Sequence, residues 1–108
     1  MAGNFTGKTI AAGQLSNTVT SVYQSPVNTV TYLKDFNLYN NSATTQSITL
    51  YKNLGGNNYP WHTLVLNSNE SADILDEEPL VLSALDSVQG LSNTANTIIF
   101  TLSGVQET

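Results

Sequence analysis

The chain has 108 residues, a mass of 11.6 kDa and a net charge of −5, which is enough protein for one domain with one core. Its polarity comes from 13 Asn, 11 Ser and 14 Thr rather than from charged residues, which make up only 10%. Three lysines without arginine cannot supply the cationic surface that nucleic acids require, and the lack of cysteine excludes disulfides, thiolate nucleophiles and zinc–thiolate sites.

The first residues of the chain are small and carry one charge, on Lys8. They predict an N-terminal arm over residues 1–12 that a neighbouring molecule orders, followed by a β-sandwich domain over residues 13–108. The arm has no basic start before an apolar run, so we predict no signal peptide. No apolar stretch approaches the roughly 20 residues that a bilayer crossing requires, so we expect no membrane partner.

Strand patterns then follow one another along the chain. Residues 15–23 are rich in Thr, Ser and Val, as is typical of a strand. Between residues 30 and 39 apolar and polar side chains alternate, which predicts a strand with one buried face. Leu33 and Lys34 interrupt this alternation, which predicts either a bulge or a partly covered outer face at this point. The residues predicted to face the core are Val30, Tyr32, Phe36 and Leu38.

The remaining strands alternate with turn-forming clusters. The Asn- and Ser-rich residues 40–44 and the Gly- and Asn-rich residues 54–60 are the main turns, and no window of 11 or more residues has a helical period. Seven or eight short strands at this spacing predict an all-β fold, namely a single antiparallel β-sandwich resembling a jelly roll. The later segments with strand character are 46–52, 61–66, 80–84 and 97–102.

Two groups of residues are candidates for a chemical centre. His62 is the only histidine, but no serine lies in a Gly-x-Ser-x-Gly elbow, so we expect no catalytic residue and no enzyme. Five of the eight carboxylates lie between Glu70 and Glu78, a composition that can bind calcium, but the EF-hand spacing is absent. The pattern favours a solvated strand and turn with Ile74 and Leu75 pointing inward. We therefore expect neither a metal nor a cofactor.

Four aromatic residues are candidates for a contact surface. Tyr39 and Tyr51 have the outward parity of their strands, and Tyr59 and Trp61 flank the glycine-rich turn. Such side chains suit sugar stacking or a protein contact. The alternative is that Trp61 plugs one end of the core while the tyrosines cover the sheet. With three residues of the arm, the candidate partner interface is Thr6, Lys8, Ile10, Tyr39, Tyr51, Tyr59 and Trp61.

Seven short motifs occur in a characteristic order. They are VYQSP at 22–26, FNLYN at 36–40, ITLY at 48–51, WHTL at 61–64, EPLVL at 78–82, LDSVQG at 85–90 and IIFTLSGVQE at 98–107. The ordered set resembles small virion structural proteins of tailed bacteriophages, which include capsid decoration and tail proteins. Leu85 departs from the family pattern, which usually has Gly before the Asp. We therefore expect the turn at Leu85 either to avoid positive φ or to be rebuilt.

The resemblance implies a non-enzymatic virion protein, and most closely a capsid decoration (cement) protein that binds and stabilises the outer surface of the assembled head. Its partner would be the major capsid protein lattice, and it would form a homo-oligomer, with a trimer as one option. It would be made in the host cytoplasm and reside on the outside of the virion. An acidic, lysine-poor surface agrees with that place, because it would not bind the packaged genome.

Two alternatives stay open at this point. One is a tail, connector or baseplate component. The other is a carbohydrate-binding module for receptor recognition that uses Trp61 and the exposed tyrosines.

Overall fold

The computed structural model describes residues 5–75 and 79–107, which form nine strands and no helix. The strands are consistent with the alternation of apolar and polar residues along most of the chain. They are β1 (Phe5–Gln14), β2 (Thr20–Gln24), β3 (Val30–Asn40), β4 (Gln46–Leu54), β5 (Asn57–Leu66), β6 (Ser71–Asp73), β7 (Leu80–Leu82), β8 (Ser87–Ser92) and β9 (Ile98–Glu107).

The strands form two antiparallel sheets. The first has the order β1-β9-β3-β6, with β7 also pairing with β3, and the second has the order β2-β8-β4-β5. Since β6 pairs with residues 37–39 and β7 with residues 31–33, these two short strands fill one strand position. The resulting eight positions have the connectivity of a jelly roll. The predicted all-β, antiparallel β-sandwich is therefore confirmed.

The core lies between the two sheets and consists of aliphatic side chains around Phe36 and Phe100. Each strand contributes the residues of its inward parity, so the alternation in the sequence becomes one continuous apolar layer. The buried hydrophobic residues are Leu15, Val22, Leu33, Phe36, Leu38, Ile48, Leu50, Leu66, Ile74, Leu75, Leu82, Val88, Ile98, Phe100 and Leu102.

Strand β3 contains a bulge, which is the first of the two alternatives expected at Leu33 and Lys34. Leu33 pairs with Gly104 and Asp35 pairs with Ser103, which leaves Lys34 as an extra residue with no partner of its own in β9. An extra residue shifts the alternation by one position. Odd-numbered residues therefore face the core before the bulge, and even-numbered residues face it after the bulge.

The bulge makes part of the predicted core pattern wrong. Phe36 is buried as expected, but before the bulge the buried residues are Thr31 and Leu33. Val30 and Tyr32 are only half-buried and lie on the other face. The physical reason is that even-numbered side chains cannot stay on the same face of the sheet on both sides of a bulge.

Residues 5–14 lie within the first sheet as β1, and residues 1–4 of the predicted arm lie outside the described residues. Residues 5–12, assigned to an arm by the sequence analysis, are part of β1, which runs antiparallel to β9. The expected boundary at residue 12 therefore falls inside a strand. Ile10 and Ala11 are half-buried and pack against the core, which ties the strand to the domain.

One end of the sandwich is fixed by two loops that hydrogen-bond to each other. The backbone N–H of Leu85 donates to the carbonyl of Ser25 at 2.8 Å, and the N–H of Ser25 donates to the carbonyl of Asp86 at 2.8 Å. The side-chain amide of Gln24 also donates to the carbonyl of Leu85 at 3.1 Å. These bonds satisfy backbone groups of the β2–β3 and β7–β8 loops and hold the loops together.

Leu85 has a φ of 71°, so the first of the two expected alternatives, a turn that avoids positive φ, is wrong. The hydrogen bonds to Ser25 and Gln24 fix the turn, and the side chain of Leu85 is 56% exposed. The left-handed conformation costs about 1–2 kcal/mol for a residue with a Cβ, whereas glycine adopts it freely.

Replacing Leu85 by glycine should therefore stabilise the protein by about 0.5–1 kcal/mol, because the relief of strain exceeds the greater entropy of glycine in the unfolded chain. Urea unfolding of Leu85→Gly and Leu85→Ala measures the effect. Leu85→Ala keeps the strain and should leave the free energy of unfolding near that of the wild type. A glycine variant no more stable than the alanine variant would show that the turn carries no strain.

Candidate functional site

The seven residues predicted as a partner interface lie in three separate regions. Thr6, Lys8 and Ile10 belong to β1, where the backbones of Thr6 and Lys8 pair with Gln106 and Gly104. Ile10 packs against the core. Tyr39 lies in the first sheet, whereas the other three aromatic residues lie in the hairpin of β4 and β5 in the second sheet. The predicted residues therefore do not form one surface.

Strand β1 forms an edge of the first sheet. Within residues 5–75 and 79–107, it pairs with β9 alone. Of the two edge strands of the second sheet, β2 has only five residues, and β5 contains Pro60, which has no backbone N–H to donate. Ten residues long and free of proline, β1 is better suited than these to pair with a further strand.

Trp61 lies in β5 and packs against the core. Leu50 pairs with His62 and Tyr51 pairs with Pro60, so Trp61 is the extra residue of a bulge. Its ring centroid lies 6.2 Å from that of Phe36, and the Nζ of Lys52 lies 5.1 Å from the Trp61 centroid. The ring is half-buried and packs against the core, and the Lys52 ammonium makes a cation–π contact with it. This position agrees with the alternative in which Trp61 plugs the core.

His62 lies at the surface next to Trp61. The two ring centroids are 4.9 Å apart in an edge-on arrangement, and the imidazole is exposed. In the described part of the chain its ring hydrogen-bonds to no serine or carboxylate. The structure therefore places no Ser-His-Asp arrangement, within that part, around the histidine that such a triad would need.

The two tyrosines of the β4–β5 hairpin differ in exposure. Tyr59 is exposed, with 50% of its surface accessible, whereas Tyr51 is mostly covered by its neighbours. Tyr39 lies in the other sheet, where its hydroxyl donates to the Oδ1 of Asn69 at 3.0 Å. Tyr39 and the hairpin tyrosines therefore belong to different sheets.

A groove of about 520 Å³ crosses the outer face of the first sheet. Its residues have the outward parity of β3 and β9 and are mostly short and polar. The hydroxyl of Ser103 donates to the Oδ2 of Asp35 at 3.2 Å across the two strands. The lining residues are Asp35, Asn37, Tyr39, Ser71, Ile99, Thr101 and Ser103. Of these, sequence reasoning singled out only Tyr39.

A second groove of about 460 Å³ lies on the same sheet and is mostly apolar. It is lined by Tyr32, Lys34, Pro79 and Val105. The hydroxyl of Tyr32 donates to the Oε1 of Glu107 at 3.1 Å, and this hydrogen bond together with the negative charge of Glu107 raises the pKa of the phenol.

The acidic segment is built as predicted where the structure describes it. Ile74 and Leu75 are buried. The carboxylates of Glu70 and Asp73 accept hydrogen bonds from the backbone N–H groups of Asn67 and Leu75, at 2.8 and 3.3 Å. Residues 76–78 lie outside the described residues. Among those described, no three His, Asp or Glu side chains are grouped so as to hold a metal ion.

None of the elements in the described ranges is a helix of the length and hydrophobicity that crossing a bilayer requires.

Comparison with known proteins gives a match to the fold. No protein-family model and no curated protein matches the sequence. One solved structure, from Bacillus endospore appendages described as a novel family of disulfide-linked pili, is similar with a TM-score of 0.52 and 17% identity. The alignment covers 98% of this chain and 89% of that chain. At this identity the likeness shows the β-sandwich fold alone. These 108 residues contain no cysteine, so they hold no counterpart of the disulfide link.

Proposed function

We propose that this protein is a non-enzymatic structural subunit of a phage virion, and specifically a decoration protein that binds the outer surface of the assembled head. The motif order from VYQSP to IIFTLSGVQE supports the virion assignment through its resemblance to small tailed-phage proteins. The acidic surface supports an external position, because a net charge of −5 disfavours contact with packaged DNA.

The fold is suited to a subunit of a large assembly. A buried core between two sheets and loops joined by hydrogen bonds make a stiff unit that loses little conformational entropy on docking. The Bacillus endospore appendages of similar fold are described as forming pili, which is compatible with a structural role for this fold. A ligand that binds only the assembled shell stabilises it by mass action, and many copies on one lattice add to the effect.

The edge strand β1 is the observation on which the proposal depends. Its open edge can accept a strand from a capsid subunit, and main-chain hydrogen bonds then supply the affinity. Pairing along the edge would add a further strand to the first sheet.

Sedimentation with phage heads tests the proposal. Heads are purified from the phage that encodes this chain after deletion of its gene, and are mixed with the pure protein. We expect saturable co-sedimentation at a fixed ratio to the capsid protein and a higher temperature of head disruption. Protein that stays in the supernatant with heads but binds purified tails would contradict decoration and favour the tail component.

Two adjacent proline variants, Ala11→Pro and Ala12→Pro, test the role of the edge. Successive N–H groups of a strand point alternately toward the paired strand and away from it, so one variant removes a hydrogen bond to β9 and the other removes an N–H of the open edge. Loss of the bond to β9 should lower the free energy of unfolding by about 1–3 kcal/mol.

The open-edge variant should unfold nearly like the wild type but lose co-sedimentation with heads. Urea unfolding identifies which variant is which, so the two serve as controls for each other. If the stable variant binds heads as the wild type does, β1 is not the docking edge.

A further inference from the structure

We propose that the groove on the outer face of the first sheet, centred on Asn37 and Thr101, binds a neutral oligosaccharide. This function goes beyond docking to the capsid, since the groove lies on the face of the sheet and not on its β1 edge. The proposal depends on the spacing of the polar groups, on their unused hydrogen-bonding capacity and on the charge of the surface.

The side chains that line the groove are regularly spaced, because β3 and β9 pair residue by residue along it. Asp35 is opposite Ser103, and Asn37 is opposite Thr101. Neighbouring side chains are about 5 Å apart across the strands and about 7 Å apart along them. Hydroxyl groups on opposite sides of a pyranose ring have a similar separation. The polar side chains of the groove can therefore contact several hydroxyls of one or two sugar rings at the same time.

Many donors and acceptors among the side chains of the groove have no hydrogen-bond partner within the described residues. Asn37 and Thr101 are exposed, and their side chains make no hydrogen bond within the described residues. An amide and a hydroxyl each donate and accept, and the Asp35 carboxylate accepts one bond from Ser103 and has capacity for more. Sugar hydroxyls also donate and accept, so they match this set of groups.

Two partly apolar residues complete the groove. Ile99 and the ring of Tyr39 are half-buried and line the end opposite to Asp35, and Ser71 lies across from Tyr39 at the edge. The hydroxyl of Tyr39 is held by Asn69, which fixes the position of the ring. Apolar surface beside polar groups suits a sugar, whose C–H groups form one face and whose hydroxyls form the rim.

The charge of the surface selects a neutral ligand. Asp35 lies in the groove, and the exposed Asp73 pairs with Asn37 on the neighbouring strand. No lysine is among the described residues that line the groove. Phosphorylated or carboxylated sugars would therefore meet like charge, which disfavours their binding. The volume of about 520 Å³ lies in the range of small-ligand sites.

Titration of ¹⁵N-labelled protein tests the proposal. The probes are cellotriose, maltotriose, mannotriose and chitotriose, with galacturonic acid trimer as the charged comparison. We expect at least one neutral trisaccharide to shift the amide resonances of residues 35–39 and 99–103 in a saturable way. We expect no such shift with the charged trimer.

Matched variants locate the site. Thr101→Val removes one hydroxyl at constant shape, and Asn37→Leu removes the amide; each should weaken binding about tenfold or more, the equivalent of about 1.4 kcal/mol. Thr63→Val, on an exposed position of the second sheet, is the control and should bind like the wild type. All three positions are exposed, so circular dichroism should show wild-type folding of the variants.

Three results would overturn the proposal. The first is the absence of shifts with every neutral trisaccharide. The second is shifts that map to Trp61 and Tyr59 in the second sheet. The third is a combination of two results: Asn37→Leu no longer binds heads, and the wild type binds no sugar. The groove would then be a contact with another protein. Failure of head binding alone would leave the sugar site intact, so the two functions are tested separately.

Discussion

Replacing Gly104 by alanine should destabilise the protein by about 3 kcal/mol or more, and it is expected to prevent folding in part of the population. A Cβ at this position would overlap the carbonyl oxygen of Tyr32 and would lie 3.0 Å from the Cα of Leu33. Both are backbone atoms of β3 at its bulge, so no side-chain rotation can relieve the overlap. The two strands would have to separate, and their hydrogen bonds would weaken.

Chemical unfolding of Gly104→Ala measures this loss, and Gly55→Ala is the matched control. Gly55 has a φ of +60°, and a Cβ added there would have no atom within 4 Å. Its substitution therefore causes conformational strain of only about 1 kcal/mol. Equal effects of the two substitutions would show that β3 and β9 do not approach as closely as the structure indicates.

The second large effect is expected at Asn40, which is fully buried between β3 and the following turn. Its amide donates to the carbonyls of Thr44 and Leu66 at 2.8 and 3.0 Å. Its Oδ1 accepts from the backbone N–H and the hydroxyl of Ser42 at 2.9 and 2.7 Å. These four bonds use the whole capacity of the side chain and join the ends of three segments.

Asn40→Ala should therefore lower the free energy of unfolding by about 3 kcal/mol, because the carbonyl of Leu66 loses its side-chain donor in a buried place. The neighbouring Asn41 is exposed, so Asn41→Ala should change stability by no more than about 0.5 kcal/mol. Guanidinium unfolding of both variants makes the comparison. Similar stabilities would contradict the role of Asn40 as the link at this end of the sandwich.

The fold class was predictable because it depends on a local pattern. Alternating residues such as Phe36 and Leu38 indicate a half-buried strand, and asparagine-rich turns separate the strands. An irregularity at Lys34 was also predictable, since two consecutive residues break the alternation, but the pattern alone left a bulge and a partly covered outer face as alternatives. The sequence did not show that Val30 and Tyr32 would face away from the core. A break in the alternation does not indicate whether the residues before it or those after it keep the predicted face.

The place of β1 depends on contacts that are distant in sequence. Residues 5–12 are mostly small and show little alternation, so they resemble an arm when taken alone. They become a strand by pairing with residues 101–107, almost a hundred residues later. Leu85 is similar, since its positive φ is fixed by hydrogen bonds to the β2–β3 loop and not by its own preference.

The candidate surfaces were the least predictable part. The aromatic residues attract attention in a sequence, yet Tyr39 and Tyr59 lie in different sheets, and Trp61 packs on the core. The groove consists of common residues such as Asn37 and Thr101. They lie side by side in a groove only through the register of β3 with β9, which the sequence does not specify.

Electron cryomicroscopy of heads with and without this protein tests the central claim most directly. A difference map should show density on the outer surface at a fixed lattice position, with the shape of the two-sheet domain and with β1 facing the capsid protein. A map with no added density at saturating protein, or with density only at the tail, would contradict decoration of the head.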